Sequence, residues 1–133
     1  MKEFCILFPF DPISWERAGR RGHKYFDRQL KEKEMYRLYA LSKGSHIRPF
    51  KGALFAFYIF FIPMPKSWSK NKREERKGDF AYDCKKDLSN LVKFIEDTFN
   101  KVIYEDDKQI VFSQEIKVWD ETGSTFLMVG ECK

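Results

Sequence analysis

One apolar run, residues 53–62, constrains the fold more than any other part of this sequence. It reads Ala-Leu-Phe-Ala-Phe-Tyr-Ile-Phe-Phe-Ile, and Pro63 and Pro65 end it. Aromatic and β-branched residues favour strands, and a run without polar alternation is typical of a central strand buried on both faces. Because a membrane span needs about 20 apolar residues, we interpret this run as the centre of a sheet in a soluble domain.

Two amphipathic segments predict helices that pack on this sheet. In residues 87–100 the apolar residues recur at helical spacing and polar residues fill the opposite side. In residues 27–42, Asp27 is the expected N-terminal cap and Gly44 the expected stop. The expected buried stripe of this earlier helix consists of Met35, Leu38 and Tyr39.

The remaining segments predict strands and loops. Apolar residues 4–10 predict a buried strand, and residues 109–119 and 125–129 predict two strands joined by a turn. The basic stretch 17–28 is expected to be a loop or turn, and residues 67–83 an exposed loop or short helical excursion. We therefore expect a single α+β domain over residues 1–133, with two main helices packed on a mixed sheet.

The cysteine and charge content favour a soluble intracellular protein. Cys5, Cys84 and Cys132 are far apart and odd in number, which indicates free thiols in a reducing compartment. The short apolar start does not resemble a signal peptide, so we expect a cytoplasmic protein with no membrane association. His23 and His46 lack partners at ligand spacing, so zinc is not expected. The net charge of +5 is compatible with a polyanionic partner, but on charge alone simple solubility is the favoured explanation.

Carboxylates beside two predicted elements suggest a metal site. Asp87 stands at a helix start, and Asp106 and Asp107 stand just before a strand. If that helix packs against that sheet, these groups would supply the oxygen ligands that Mg²⁺ or Mn²⁺ prefers, with Lys93 beside them as a donor to phosphate. The alternative is structural: Asp87 as a helix cap, Asp106–Asp107 as a plain turn, and Lys93 paired with Asp97.

Basic residues lie beside tryptophans in two segments, a mixture that holds phosphates and stacks on bases. A solvated surface loop explains each segment about as well. The residues of the later segment are Lys66, Trp68, Lys70, Lys72 and Arg73, and those of the earlier one are Trp15, Arg17, Arg20 and Arg21.

Taken together, these segments resemble the RusA family of Holliday junction endonucleases. Four pieces occur in the family's order. They are the proline-bounded strand end with a basic loop (residues 63–73), a Lys-Asp-Leu-Ser-Asn-Leu-Val-Lys helix start (residues 86–93), an Asp-Asp-Lys-Gln-Ile-Val segment (residues 106–111) and a strand lysine, Lys117.

The resemblance implies a RusA-like homodimer that binds four-way DNA junctions and cuts strands symmetrically at two metal-dependent sites. By matching position, Asp87 and Asp107 would be Mg²⁺ or Mn²⁺ ligands, Asp106 a supporting carboxylate and Lys93 the catalytic lysine. Two positions depart from the family pattern: Lys86 stands where the family usually has Pro, which is the less damaging change, and Ser89 stands where the family has a second Asp. The change at Ser89 is the serious one, because a neutral hydroxyl is a poor substitute for a carboxylate on Mg²⁺.

Three functions remain open from the sequence. The first is a metal-dependent junction endonuclease. The second is a structure-selective DNA-binding protein that lost cleavage when Ser89 replaced the acid. The third is an oligomeric protein-interaction domain, whose aromatic residues serve an interface.

Overall fold

The computed structural model of the protein describes residues 2–44 and 48–132, so His46 lies outside the described residues. Within these ranges the chain forms an α+β domain with a mixed sheet, as the sequence predicts. No described helix has the length and apolar character needed to cross a membrane. The elements are β1 (Glu3–Phe8), β2 (Gly19–Arg21), β3 (Lys24–Phe26), α1 (Leu30–Lys43), β4 (Leu54–Pro63), α2 (Lys70–Arg76), α3 (Leu88–Thr98), β5 (Ile110–Asp120) and β6 (Ser124–Glu131).

The main sheet has the strand order β1-β6-β4-β5. Strand β4 runs parallel to β5 and antiparallel to β6, and β6 is antiparallel to β1. Parallel neighbours need a crossover, and α3 provides it between β4 and β5. Strand β5 is thus an edge strand of the sheet, and it is the first strand after α3 in the sequence.

The core lies on one face of the sheet. Alternate residues of β4, from Leu54 through Tyr58 to Ile62, are buried and join the apolar sides of α1 and α3. The residues between them are only half-buried. The prediction that this strand is buried on both faces is therefore wrong, because both long helices pack on the same face.

Helix α3 follows the sequence prediction closely. Asp87 is its N-terminal flanking residue, although the Asp87 side chain makes no capping hydrogen bond. Leu91, Val92 and Ile95 are buried, as the spacing predicts, and Phe94 is buried as well.

Helix α1 uses a different face from the predicted one. Met35 and Leu38 are 39% and 67% exposed, whereas Tyr36 and Ala40 are fully buried. Lys33, which the pattern assigns to the solvent side, is buried between two carboxylates. This pairing turns the helix away from its apparent apolar stripe.

The start of α1 and the segment before it also differ from the predictions. Gln29, not Asp27, flanks the first turn, and Asp27 Oδ1 instead accepts the Gln29 N–H at 2.8 Å. The basic stretch is more ordered than a loop, because β2 and β3 pair as a short hairpin. Gly22 lies at its turn with φ of 61°, a left-handed value that glycine adopts without strain.

Candidate nucleic-acid interface and acidic site

Helix α3 determines where the predicted site residues lie. Asp87 is at its N-terminal end. Asp107 lies beyond its C-terminal end, where the Asp107 N–H donates to Asn100 Oδ1 at 2.9 Å. Eleven helical residues span about 16 Å, whereas metal–oxygen distances are roughly 2.0–2.6 Å. Asp87 and Asp107 of one chain therefore do not meet around a single ion, and their roles as ligands stay predictions.

Asp106 has a structural role in this geometry. It flanks the 3₁₀ turn Asp107–Gln109, and its Oδ1 accepts the Lys108 N–H at 2.9 Å. The Gln109 side chain in turn accepts the Asp106 N–H, which completes a capping box. The hydrogen bond from the Lys108 backbone holds the pKa of Asp106 below its ordinary value. Asp106 is exposed.

Two carboxylates that the sequence did not single out lie near Asp107. Glu115 pairs in register with Tyr58, so its side chain points to the helix-covered face of the sheet. Glu96 comes from the last turns of α3. Burial raises the pKa of Glu96 to about 7, with the nearby negative charges of Asp107 and Glu115 adding to the effect. These three carboxylates, Glu96, Asp107 and Glu115, are hereafter the acidic group.

Glu115 differs from the other two carboxylates of the acidic group in having a buried oxygen, Oε2, without a hydrogen-bond partner among the described residues. A buried acceptor without a donor costs roughly 1–3 kcal/mol, so folding alone gives no reason to keep a carboxylate here. Such an oxygen suits a cation.

The distances do not complete a metal site. Across residues 2–44 and 48–132, no three Asp, Glu, His or Cys side chains stand close enough together to hold a metal ion. The described residues therefore supply at most two protein ligands at one point, which is the number that Mg²⁺ commonly uses when waters and substrate phosphates complete its coordination.

Lys93 points to Trp15 and not to Asp97. Its Nζ atom lies 3.6 Å from the centroid of the Trp15 ring, a cation–π contact. Asp97 instead binds Lys33 Nζ at 2.8 Å. The exposed Lys93 thus has no carboxylate partner among the described residues, which leaves its charge available to an anion such as phosphate.

Ser89 shares one side of α3 with Lys93 and Glu96. These residues stand at i, i+4 and i+7, the spacing of one helical face. Ser89 is exposed in the first turn. The Asp that the family pattern has at this position would therefore lie about two turns from the acidic group.

The later basic segment forms the N-terminal part of α2. Ser69 flanks the helix and its hydroxyl accepts the Lys72 N–H at 3.2 Å. Lys72 Nζ lies 4.3 Å from the centroid of the Trp68 ring. Lys66, Lys70 and Lys72 are exposed, as binding to DNA phosphates requires.

Arg73 has mainly structural contacts. Its guanidinium donates to Pro65 O at 2.8 Å and to Trp68 O at 3.3 Å, and it pairs with Glu121 at 3.4 Å. These bonds hold the loop that presents Trp68. Arg76, which the sequence did not single out, is the cation over both the Trp68 and Tyr82 rings.

A cavity of about 400 Å³ lies between this loop and the start of α3. Trp68 and Trp119 meet edge to face there, with ring centroids 4.8 Å apart. Trp119 is 4% exposed, and its Nε1 donates to Asp83 at 3.3 Å. The cationic residues in the lining are Lys72, Lys85 and Lys86. The cavity thus combines aromatic walls with a basic rim.

The earlier basic segment also reaches α3. The Trp15 N–H donates to Asn90 O at 3.0 Å, which places Trp15 beside the first turn of the helix. The hairpin that follows carries Arg20 over Tyr25, with 5.7 Å between the guanidinium carbon and the ring centroid, and Arg21 over Phe26 at 5.5 Å. Arg17, Arg20 and Arg21 are exposed.

The fold and these contacts define a class: an α+β domain in which one helix carries basic and aromatic neighbours at its start and carboxylates at its end. A comparison with protein families identifies the family. The model of the endodeoxyribonuclease RusA family matches residues 9–129, and the chain therefore belongs to the RusA family, whose members are nucleases of the Holliday junction resolvase type. The chain is also similar to a Bacillus subtilis (strain 168) protein named "Uncharacterized protein YqaN", with 28% identity over 137 residues that cover 96% of each chain.

Proposed function

We propose that the protein is a divalent-metal-dependent endonuclease that binds four-way DNA junctions as a homodimer and cuts them. The observation that carries the proposal is the arrangement along α3, in a chain that belongs to the RusA family. Basic and aromatic side chains surround its N-terminal half, and the acidic group lies at its C-terminal end.

The basic residues would position DNA without reading its sequence. Lys66, Lys70 and Lys72 on the α2 segment and the hairpin arginines would contact backbone phosphates. Trp68 and Trp119 line a cavity of the size that accepts small ligands, so an unpaired base at the branch point would find aromatic contact there. Lys93 would donate to a phosphate oxygen near α3.

The acidic group would supply the carboxylates of the reaction. Asp107 is the member that the family resemblance marks, and Glu115 contributes the buried oxygen without a donor. Asp107 and Glu115 would hold a divalent ion, which would supply an activated water and offset charge on the phosphate. Mg²⁺ or Mn²⁺ dependence is part of the proposal.

The test is nicking of a synthetic four-way junction with Mg²⁺ or Mn²⁺. We expect Asp107→Asn to abolish nicking while it leaves junction binding within about twofold. The matched control is Glu34→Gln, which removes an exposed carboxylate on α1 and is expected to cut normally. A wild-type chain that cuts with neither ion would refute the nuclease.

Ser89 favours a second candidate, a structure-selective DNA-binding protein without cleavage. Its exposed hydroxyl stands where the family has a carboxylate, and the remaining acids do not complete an ion site. In that case the wild-type chain binds junctions in a salt-sensitive way without nicking, and Ser89→Asp restores nicking. If Ser89→Asp restores nothing, Ser89 is not the reason for inactivity.

A further inference from the structure

The hairpin of β2 and β3 combines positive charge with aromatic rings and contains no carboxylate. Residues 17–26, hereafter the hairpin arm, include three arginines and one lysine and no acidic residue. Every residue from 20 to 26 is exposed, and Tyr25 and Phe26 are 73% and 42% exposed. A two-stranded hairpin is marginally stable by itself, and neither ring belongs to the core cluster. Packing alone therefore gives no reason for this composition.

Buried side chains fix the base of the hairpin arm. Gln29 is 4% exposed, and its amide joins the two ends of the excursion. Its Oε1 accepts the Glu16 N–H at 2.9 Å, and its Nε2 donates to Ser14 O at 2.8 Å. Asp27, directly after the arm, pairs with the buried Lys33 at 2.6 Å. The arm is thus an exposed element on an anchored base, as a part that contacts a partner requires.

Tyr25 lies on one side of the arm beside an arginine. The strand register pairs it directly with Arg20, whose guanidinium is the one over the Tyr25 ring. Arg20 Nε also donates to Gly22 O at 2.6 Å, so the turn holds this arginine. Because most of the Tyr25 side chain is exposed, its ring is accessible to a planar partner.

Phe26, on the opposite side of the arm, already has close neighbours. Its ring lies across Gly19, where an added Cβ would overlap it. The guanidinium carbons of Arg21 and Arg28 lie 5.5 and 6.0 Å from its centroid. The two rings therefore differ in role: Phe26 orients arginines, whereas Tyr25 is presented to solvent.

The arm begins beside the start of α3. Trp15, two residues before the arm, is bonded to the first turn of this helix, and its ring contacts Lys93. The arm and Lys93 therefore belong to one basic surface, so DNA held by Lys93 would pass the base of the arm.

We propose that the hairpin arm enters a four-way junction at its branch point, where Tyr25 stacks on an exposed base and the arginines hold the flanking phosphates. Aromatic side chains stack on any base, and unstacking costs least where a base is already unpaired. Continuous duplex offers no such base. Tyr25 therefore contributes affinity for branched DNA, whereas the arginines contribute affinity for DNA of any shape. The inference deepens the proposed function and rests on it, because it names the element that distinguishes a junction from a duplex.

The test is fluorescence anisotropy of the full chain with a four-way junction and with a linear duplex, in EDTA so that no cleavage occurs. We expect Tyr25→Ala to weaken junction binding about tenfold and duplex binding less than about twofold, since one stacking contact is lost. Tyr25→Phe should bind as wild type does, because it keeps the ring. Arg21→Ala should weaken binding to both DNAs alike. The matched control Leu38→Ala removes a 67% exposed side chain on α1 and should change neither.

A photochemical cross-link provides a second measurement that needs no variant. A 5-iodouracil base at the branch point should cross-link to Tyr25 of the wild-type chain, as mapped by mass spectrometry. The same base placed about ten base pairs away, one turn of the duplex, should not.

Three results would overturn the proposal. They are normal junction binding by a folded Tyr25→Ala variant, equal weakening of junction and duplex binding by that variant, and branch-point cross-links that avoid the hairpin arm. Normal junction binding by both Tyr25→Ala and Arg21→Ala would instead assign the arm to another partner, such as an acidic protein. A wild-type chain that binds junctions through Tyr25 and cuts with neither ion would refute the nuclease and leave this inference standing.

Discussion

Replacing Glu115 tests whether the acidic group is kept for function at the expense of stability. Its Oε2 atom is buried without a hydrogen-bond partner among the described residues. An unsatisfied buried acceptor costs roughly 1–3 kcal/mol, and the negative charges of Glu96 and Asp107 lie nearby. We expect Glu115→Gln to raise the free energy of unfolding at pH 8 by about 1 kcal/mol, because the amide retains the shape and removes both the cost of burying a charge and the repulsion by Glu96 and Asp107.

The assay is chemical denaturation, followed by circular dichroism, of wild type and Glu115→Gln with and without 10 mM Mg²⁺. In the absence of the ion the variant should be the more stable protein. Addition of Mg²⁺ should stabilise wild type and leave the variant unchanged, since ligand binding to the native state raises apparent stability. Glu34→Gln, a change at an exposed carboxylate, should show no difference in either condition. A Glu115→Gln variant less stable than wild type would refute the reasoning, because it would show that the carboxylate is already satisfied.

Three further changes test individual contacts. In thermal melting, Lys33→Met should lower the free energy of unfolding by about 2 kcal/mol, less than for a fully buried pair because its two carboxylate partners are partly exposed, and a variant as stable as wild type would contradict this. Burial alone lowers the pKa of Lys33, but the two carboxylates raise it above 10.5. The stabilisation is therefore complete below pH 10.5 and is lost as the pH rises through the raised pKa. Lys72→Ala should reduce the slope of log binding constant against log salt concentration by about 0.9 for junction binding, because one phosphate contact is lost. Arg73→Ala should mainly lower the melting temperature, because Arg73 holds the loop. The opposite pattern would show that Arg73 is the phosphate contact. Asp106→Ala should cost about 1 kcal/mol by loss of its cap while Asp106→Asn should cost little, and loss of nicking in a stable Asp106→Asn would instead support a role in metal binding.

Local patterns predicted the elements well where packing agrees with them. Helix α3 and strand β6 follow from periodicity, since their buried residues recur at the spacing of the element. Helix α1 does not follow, because the ion pairs of Lys33 come from residues 6 and 64 positions away. No local pattern contains such contacts.

The candidate site was predictable in part. The sequence placed Lys93 on the second long helix and Asp107 just before the third long strand, and the structure has them there, whereas their roles stay predictions. It also implied that Asp87 and Asp107 share an ion, although a helix of known length stands between them in the sequence. Glu115 was missed because its importance depends on which face of β5 it occupies, and the register with β4 decides that.

Strand β5 has charged residues on the face that the helices cover and apolar residues on the outer face, the reverse of the usual arrangement. Its helix-facing row includes Glu115 and Lys117, and its outer row includes Phe112 and Ile116. Inward-pointing charges on edge strands discourage aggregation, and this explains Lys117, which is also satisfied by a 2.7 Å hydrogen bond to Lys86 O. It does not explain Glu115, whose buried oxygen has no partner among the described residues. The fold therefore accounts for the charge of Lys117, whereas the charge of Glu115 has no structural partner among the described residues and is the one that Glu115→Gln tests.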